Sequence, residues 1–296
     1  MKNKKLRIVI YFVVALLAIY AIVNISNSKK VKGFYWKATK GSDSIYLIGT
    51  MHISKNEYDY LNDNLKFILD NTEALALEVK MFKDEKLKDK IDKDIKEMTY
   101  LDKGELKDLL NKEEQEKLDL ILEKLDLKYE DISNLSPTGF SSLVSGILYE
   151  RSGFMPSGLD EYLAKRYSLA KKDIVSLETH EIQLNTIESI TEDFKKWIKY
   201  FDIDNQLQNL KNVSDAFYNG DEKLAEAMDK ENYNSDKASY NKLMTNRNIQ
   251  MANKIDELAK SGKEYAVAVG YGHFFGKDSI LKDLEDKGYK ITDLNK

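Results

Sequence analysis

"SIYLIGTMH", Ser44–His52, runs as an apolar, β-branched strand into Gly49 and ends three residues later on a histidine. "YAVAVGYGH", Tyr265–His273, repeats the form near the other end of the chain: strand, Gly270, two residues, His273. The chain has three histidines, so two of them stand at the mouths of strands. Glycine there lets the backbone turn sharply or approach a ligand closely.

Working outward, "FYWKAT" and "SIYLIGT" flank a Gly-Ser-Asp turn and read as a β-hairpin. Leu61, Leu65, Ile68 and Leu69 follow at helical spacing. "ALALEV" is a short apolar strand interrupted by Glu78, and "DIVSLE" is a second one ending in Glu178. Residues 80–132 are saturated with Lys, Asp and Glu, with Leu or Ile every three to four positions, and read as a solvated, charged helical insertion. "SSLVSGILYERSGF" reads as a buried helix, "GLDEYLAKRYSLA" as an amphipathic one, and residues 181–262 as mostly helical. "YAVAVG", a helix around Ile280 and Leu284 closed by Gly288, and the strand "YKIT" complete the chain. Strands alternating with helices imply an α/β domain, and the hairpin makes its central sheet mixed.

Composition narrows the chemistry. Over 296 residues, 42% hydrophobic and 32% charged is an ordinary globular balance, and two prolines, Pro137 and Pro156, make no proline-rich linker. The absence of cysteine removes thiolate catalysis, thiolate metal ligands and disulfides, so any metal falls to His, Asp or Glu. "MKNKKLR" carries four positive charges, and Ile8–Ser28 is an uncharged run dense in Ile, Val, Leu and Ala. A bilayer core needs about 20 such residues as a helix. Residues 1–28 are therefore expected to form an uncleaved transmembrane signal-anchor with a cytoplasmic N-terminus, leaving 29–296 as an extracytoplasmic domain in a single-pass membrane protein. Setting those four charges aside takes the formal −4 to −8, which excludes a general nucleic-acid binder.

Ligands of open α/β sheets bind beyond the carboxyl ends of the strands. Four ends here carry a polar residue: His52, Glu78, Glu178 and His273. Should those strands lie side by side, two imidazoles and two carboxylates share one crevice. In "LMTNRNIQMANKIDEL" Arg247 and Asn248 share the face of Met244, Met251, Ile255 and Leu258. A guanidinium on that apolar stripe needs an anion, either a structural carboxylate or a substrate oxyanion. Glu178 equally suits the N-terminus of the helix after it. His180 reads as surface or outer shell, and Tyr271 is the one tyrosine placed beside the site. From the residues alone the reading stops at a polar site on the sheet edge.

"YLIGTMH", "ALALEV", "SGLDEYLAKRY", "VSLETHEIQL", "RNIQMANKI" and "VAVGYGHFFGKDSILKDLEDKGYKI" together resemble the TraB/GumN family, which groups with Tiki proteases and pheromone-shutdown proteins. The resemblance covers nearly all of residues 33–296; His180 and Tyr271 stand where the family usually has other residues, and 80–132 carries none of its motifs. It implies an α/β fold of two related halves, each with a strand–Gly-x-x-His motif, and a hydrolytic site between them. The reading that follows is a metal-dependent peptidase acting on a peptide or protein substrate. His52, Glu78 and His273 would hold a divalent ion (zinc, manganese, cobalt or iron), Glu178 would be the general base and Arg247 the oxyanion donor, with the two glutamates exchangeable. More distant relatives leave two alternatives open: a metal-free, esterase-like hydrolase, and a non-catalytic protein that sequesters peptide or haem.

Overall fold

The computed structural model describes residues 28–80 and 85–296. The expected span Ile8–Ser28 falls almost wholly outside them; among the described residues no helix is long and apolar enough to cross a membrane.

The hairpin forms as β1 (Phe34–Lys40) and β2 (Asp43–Thr50), antiparallel, with Lys40 opposite Asp43. Gly41 makes the two-residue turn by taking φ 62°, a left-handed backbone that costs glycine little. The remaining main strands are β3 (Ala74–Leu77), β4 (Asp173–Ser176), β5 (Tyr265–Gly270) and β6 (Lys290–Asp293). They form one sheet in the order β4-β3-β5-β2-β1-β6. β1 is antiparallel to both neighbours, while β4, β3, β5 and β2 are mutually parallel. The domain is thus α/β around a mixed sheet, as the alternation of elements predicts. A two-residue parallel pairing, Lys29–Lys30 with Tyr58–Asp59, lies apart from it.

The central parallel strands read as continuous apolar runs because helices cover both faces. All four β3 residues are buried, as are six of eight in β2 and five of six in β5. Each Leu, Ile or Val side chain taken fully out of water contributes about 1.5–3 kcal/mol. The helices used below are α1 (Asp63–Asn71), α2 (Pro137–Arg151), α3 (Leu159–Leu169), α4 (His180–Ser189), α5 (Ile203–Asn219), α6 (Glu222–Ser235), α7 (Asn246–Ala259) and α8 (Ile280–Asp286). Local chemistry starts several of them where they begin: Asn62 caps α1, Ser136 caps α2 with Pro137 in its first turn, and Thr179 caps α4.

The charged section departs from its expected solvated character. Leu106, Leu118, Ile121, Leu122 and Leu125 are buried in a second hydrophobic cluster with Phe140, Val144, Phe194 and Ile198. The Leu/Ile spacing therefore marks an inward face, and its partners come from α2 and from residues 194–203, beyond the charged stretch.

Candidate functional site

The strand order decides the site. Glu178, Glu78, His273 and His52 follow four adjacent parallel strands, β4, β3, β5 and β2, so all four emerge at the same edge. Past the named strands the pairing continues, with Leu177 N–H donating to Leu77 O and Glu178 N–H to Glu78 O. That places the two glutamates side by side. Gly270 marks where the others meet. A Cβ built on it would lie 3.2 Å from Glu78 Oε1, 3.7 Å from His273 Cδ2 and 3.8 Å from His52 Nε2. Its backbone N–H donates to Glu78 Oε1 at 2.7 Å.

Arg247 is 9% exposed and ties the carboxylates together. Its Nε donates to Glu178 Oε1 (2.8 Å); its Nη2 donates to Glu178 Oε2 (2.7 Å) and Glu78 Oε2 (2.8 Å). Nη1 donates to the Leu243 carbonyl at 3.2 Å. The anion demanded by a guanidinium on an apolar stripe is thus the glutamate pair. A five-residue π-helical turn, Asn241–Thr245, leads into α7 and sets its phase there. Gln183 of α4 donates to Glu178 Oε2 at 2.6 Å and Glu78 Oε2 at 3.2 Å. Burial alone would push the Glu78 carboxyl up, but His273, His52, Arg247 and the Gly270 N–H outweigh it and bring it down to about 2.

The imidazoles are held differently. His273 Nδ1 lies 2.5 Å from Asn248 Oδ1, and Asn248 Nδ2 donates to the Asp278 carbonyl at 2.6 Å. Since that amide nitrogen is committed, Asn248 presents its oxygen, so His273 Nδ1 carries the proton and Nε2 keeps its lone pair. Burial pulls His273 down to about 4, leaving it neutral at physiological pH. His52 Nδ1 lies 3.0 Å from Asp160 Oδ2, and Thr50 Oγ1 donates to Asp160 Oδ1 at 2.5 Å. The Asp160 hydrogen bond holds His52 up to about 9. Its side chain is 67% exposed, so water moderates that pull.

Gly158 makes the Asp160 contact reachable. A Cβ there would lie 1.8 Å from Met51 O and 2.6 Å from the His52 carbonyl carbon, so glycine alone lets the start of α3 press against this backbone. Leu159 N–H then donates to Met51 O at 3.1 Å.

A cavity of about 430 Å³ opens on the cluster, lined by His52, Glu78, Gln183, Arg247, Gly270 and His273 among others. Glu178 is not in its lining and its side chain is fully buried. Asp160, Gln183 and Asn248 complete the site without having been singled out for it. Asn248 lies on the inward face that its spacing predicts, but an acid in the first turn of α3 and a glutamine early in α4 carry no distinguishing sequence signal.

As a metal site the donor chemistry fits. Each imidazole has its Nδ1 held by an oxygen, which aims its Nε2 at the site, and Glu78 stays ionised; His52 would have to give up its Nε2 proton to bind an ion. The spacing is looser: among the described residues no three His, Asp or Glu side chains are gathered closely enough to hold an ion together.

The model of the TraB/PrgY/gumN family matches residues 34–293. No curated protein and no solved structure matches the chain.

Proposed function

The chain belongs to the TraB/PrgY/gumN family, and from that premise we propose that it is a hydrolase of peptides or proteins, anchored by residues 1–28 and working on the extracytoplasmic side of a membrane. The observation that carries the hydrolytic reading is the convergence of Glu78 Oε1, His273 and His52 Nε2 around Gly270, at one mouth of four parallel strands. The charge-free run Ile8–Ser28, after four basic residues, supports the anchor.

In this proposal His52, Glu78 and His273 hold a divalent ion of zinc, manganese, cobalt or iron. When bound, such an ion supplies an activated water and polarises a carbonyl. The chain's own residues do the rest. Asp160 and Asn248 fix the two imidazoles so that each presents Nε2 inward. Both glutamates accept hydrogen bonds at each oxygen, but Glu78, ionised at neutral pH, lines the cavity, whereas the Glu178 side chain is fully buried behind it. Of the two exchangeable glutamates the geometry therefore favours Glu78 at the reacting centre, with Glu178 positioning Arg247. Arg247 Nη1 has one N–H beyond its bond to Leu243 O, and that N–H is available to a carbonyl oxygen gaining negative charge.

A second reading rests on the looseness of the ligand set: a metal-free hydrolase in which the Asp160-held His52 moves the proton at Nε2. One experiment tests both. The purified full chain in detergent is assayed for peptide cleavage with and without chelator, and for bound metal by elemental analysis. Metal-dependent turnover lost in His52→Ala and His273→Ala supports the first reading; chelator-resistant turnover without bound metal selects the second. Full activity in both histidine variants overturns the site.

A further inference from the structure

The cavity does not end at the imidazoles. Its lining also takes in Val213 of α5 and Ala225 and Met228 of α6, with Met244 and Tyr271, beside the polar Asp229 and Asn232. The Met244 methyl lies 3.7 Å from where a Cβ on Gly272 would stand, against the backbone that carries His273. The Tyr271 hydroxyl is committed to Val213 O at 3.1 Å, which leaves the ring as its contribution to the wall. Two methionines in such a wall give a surface that adapts to differently shaped apolar groups.

Arg247 also lines a second cavity, of about 600 Å³, whose side chains are more polar: Asn185, Ser189, Glu192, Lys242, Asn246 and Gln250 contribute, beside Ile182. Thr186 and Arg247 line both cavities. The two therefore adjoin at these side chains, and taken together they form a trough, one end richer in apolar residues and the other in polar ones. Each part alone has the size of a small-molecule pocket, about 300–1,000 Å³. A compact substrate would leave one end empty.

Resting on the hydrolase reading above, we propose that the substrate is an extended polypeptide segment lying along this trough. It seats an apolar side chain of leucine, methionine or phenylalanine size among Val213, Met228 and Met244, and passes Arg247 toward the polar shelf of Asn185, Asn246 and Gln250. Specificity then resides in that one apolar residue, and Met228 and Met244 set it.

The test uses the full chain in detergent and a set of labelled peptides in which a single leucine is moved stepwise through a Gly/Ser/Asn background. Binding is read by fluorescence anisotropy and cleavage by mass spectrometry. One leucine position should bind about tenfold more tightly than its serine counterpart. Met244→Glu should abolish that preference, and Met228→Glu, on a different helix, should do so independently. Both side chains are partly exposed, and a thermal melt of each variant confirms that it folds. Equal binding across the leucine scan, no binding of any peptide, or a preference unchanged in both variants overturns the inference. The leucine preference without turnover upholds the trough and overturns the hydrolase; turnover without any preference does the reverse.

Discussion

Replacing Arg247 with methionine removes the one cation shared by two buried carboxylates while keeping most of the side chain's volume. Three of its hydrogen bonds, at 2.7 to 2.8 Å, go to Glu78 and Glu178, whose side chains are 10% and 0% exposed. Removing one partner of such a network costs about 3–5 kcal/mol, chiefly because the remaining charges stay buried without compensation. Glu78 bounds its own share from above: its carboxyl lies at about 2 against an ordinary 4.5, a difference of about 3 kcal/mol to which His273, His52, Arg247 and the Gly270 N–H all contribute. The sign follows from the direction: a depressed carboxyl stabilises the fold above pH 4.5 and loses that contribution as pH falls toward 2. Without Arg247 the depression shrinks, so the deficit of Arg247→Met is full near pH 7 and narrows toward pH 4, where the variant's Glu78 takes up a proton. For a domain of this size the melting temperature should drop by about 10 °C at pH 7. Circular-dichroism melts of wild type and variant at both pH values measure it. Adding Glu178→Gln should cost less in the variant background than in wild type, since the charge removed there is already unpaired. A drop under about 2 °C at pH 7, or a deficit identical at pH 4 and pH 7, would refute the idea that these groups form one coupled network.

Gly270→Ala places a methyl 3.2 Å from Glu78 Oε1 at an ordinary backbone φ of −46°, so the fold should survive while turnover falls by about tenfold or more; melts and kinetics together separate the two effects. Gly158→Ala drives a Cβ to 1.8 Å from Met51 O and should cost about 3 kcal/mol, read as a large loss of melting temperature. In Asp160→Asn, His52 should titrate nearer its ordinary 6.5 than 9, as followed by NMR on chelator-treated protein. A raised histidine stabilises the fold below its unfolded value and loses this as pH rises through 9. The variant's deficit is therefore larger at pH 6 than at pH 10, and stays under about 1 kcal/mol because the side chain is mostly in water.

Much of this molecule could be read locally. The hairpin, the two strand–Gly-x-x-His units, the apolar strands before Glu78 and Glu178, and the inward phase of Arg247 and Asn248 all lie in short-range patterns of burial and turn chemistry. What could not be read depends on contacts between distant segments. Asp160 reaches His52 across 108 positions, through the gap that Gly158 leaves, and an acid in the first turn of a helix looks the same whether it serves the helix dipole or an imidazole. The charged section hid a core for a similar reason: Leu and Ile every three to four residues mark a helix face, but Phe140 and Phe194, which cover that face, lie outside the section.

The two Gly-x-x-His units show how far matched spacing can diverge in space. The β2–β5 register pairs Thr50 with Gly270 and Gly49 with Val269, one residue off the alignment of the two motifs. Each glycine consequently meets something different. A Cβ on Gly49 would press on Tyr271 and Phe34 in the core, whereas one on Gly270 would enter the site. The histidines diverge likewise: His273 is buried and held by the Asn248 amide, while His52 is open to solvent and held by the Asp160 carboxylate. Burial under an amide favours the neutral ring, and a carboxylate favours the charged one. A pair of motifs alike in sequence thereby brings two differently held imidazoles to one cavity, His273 biased toward the neutral ring and His52 toward the charged one.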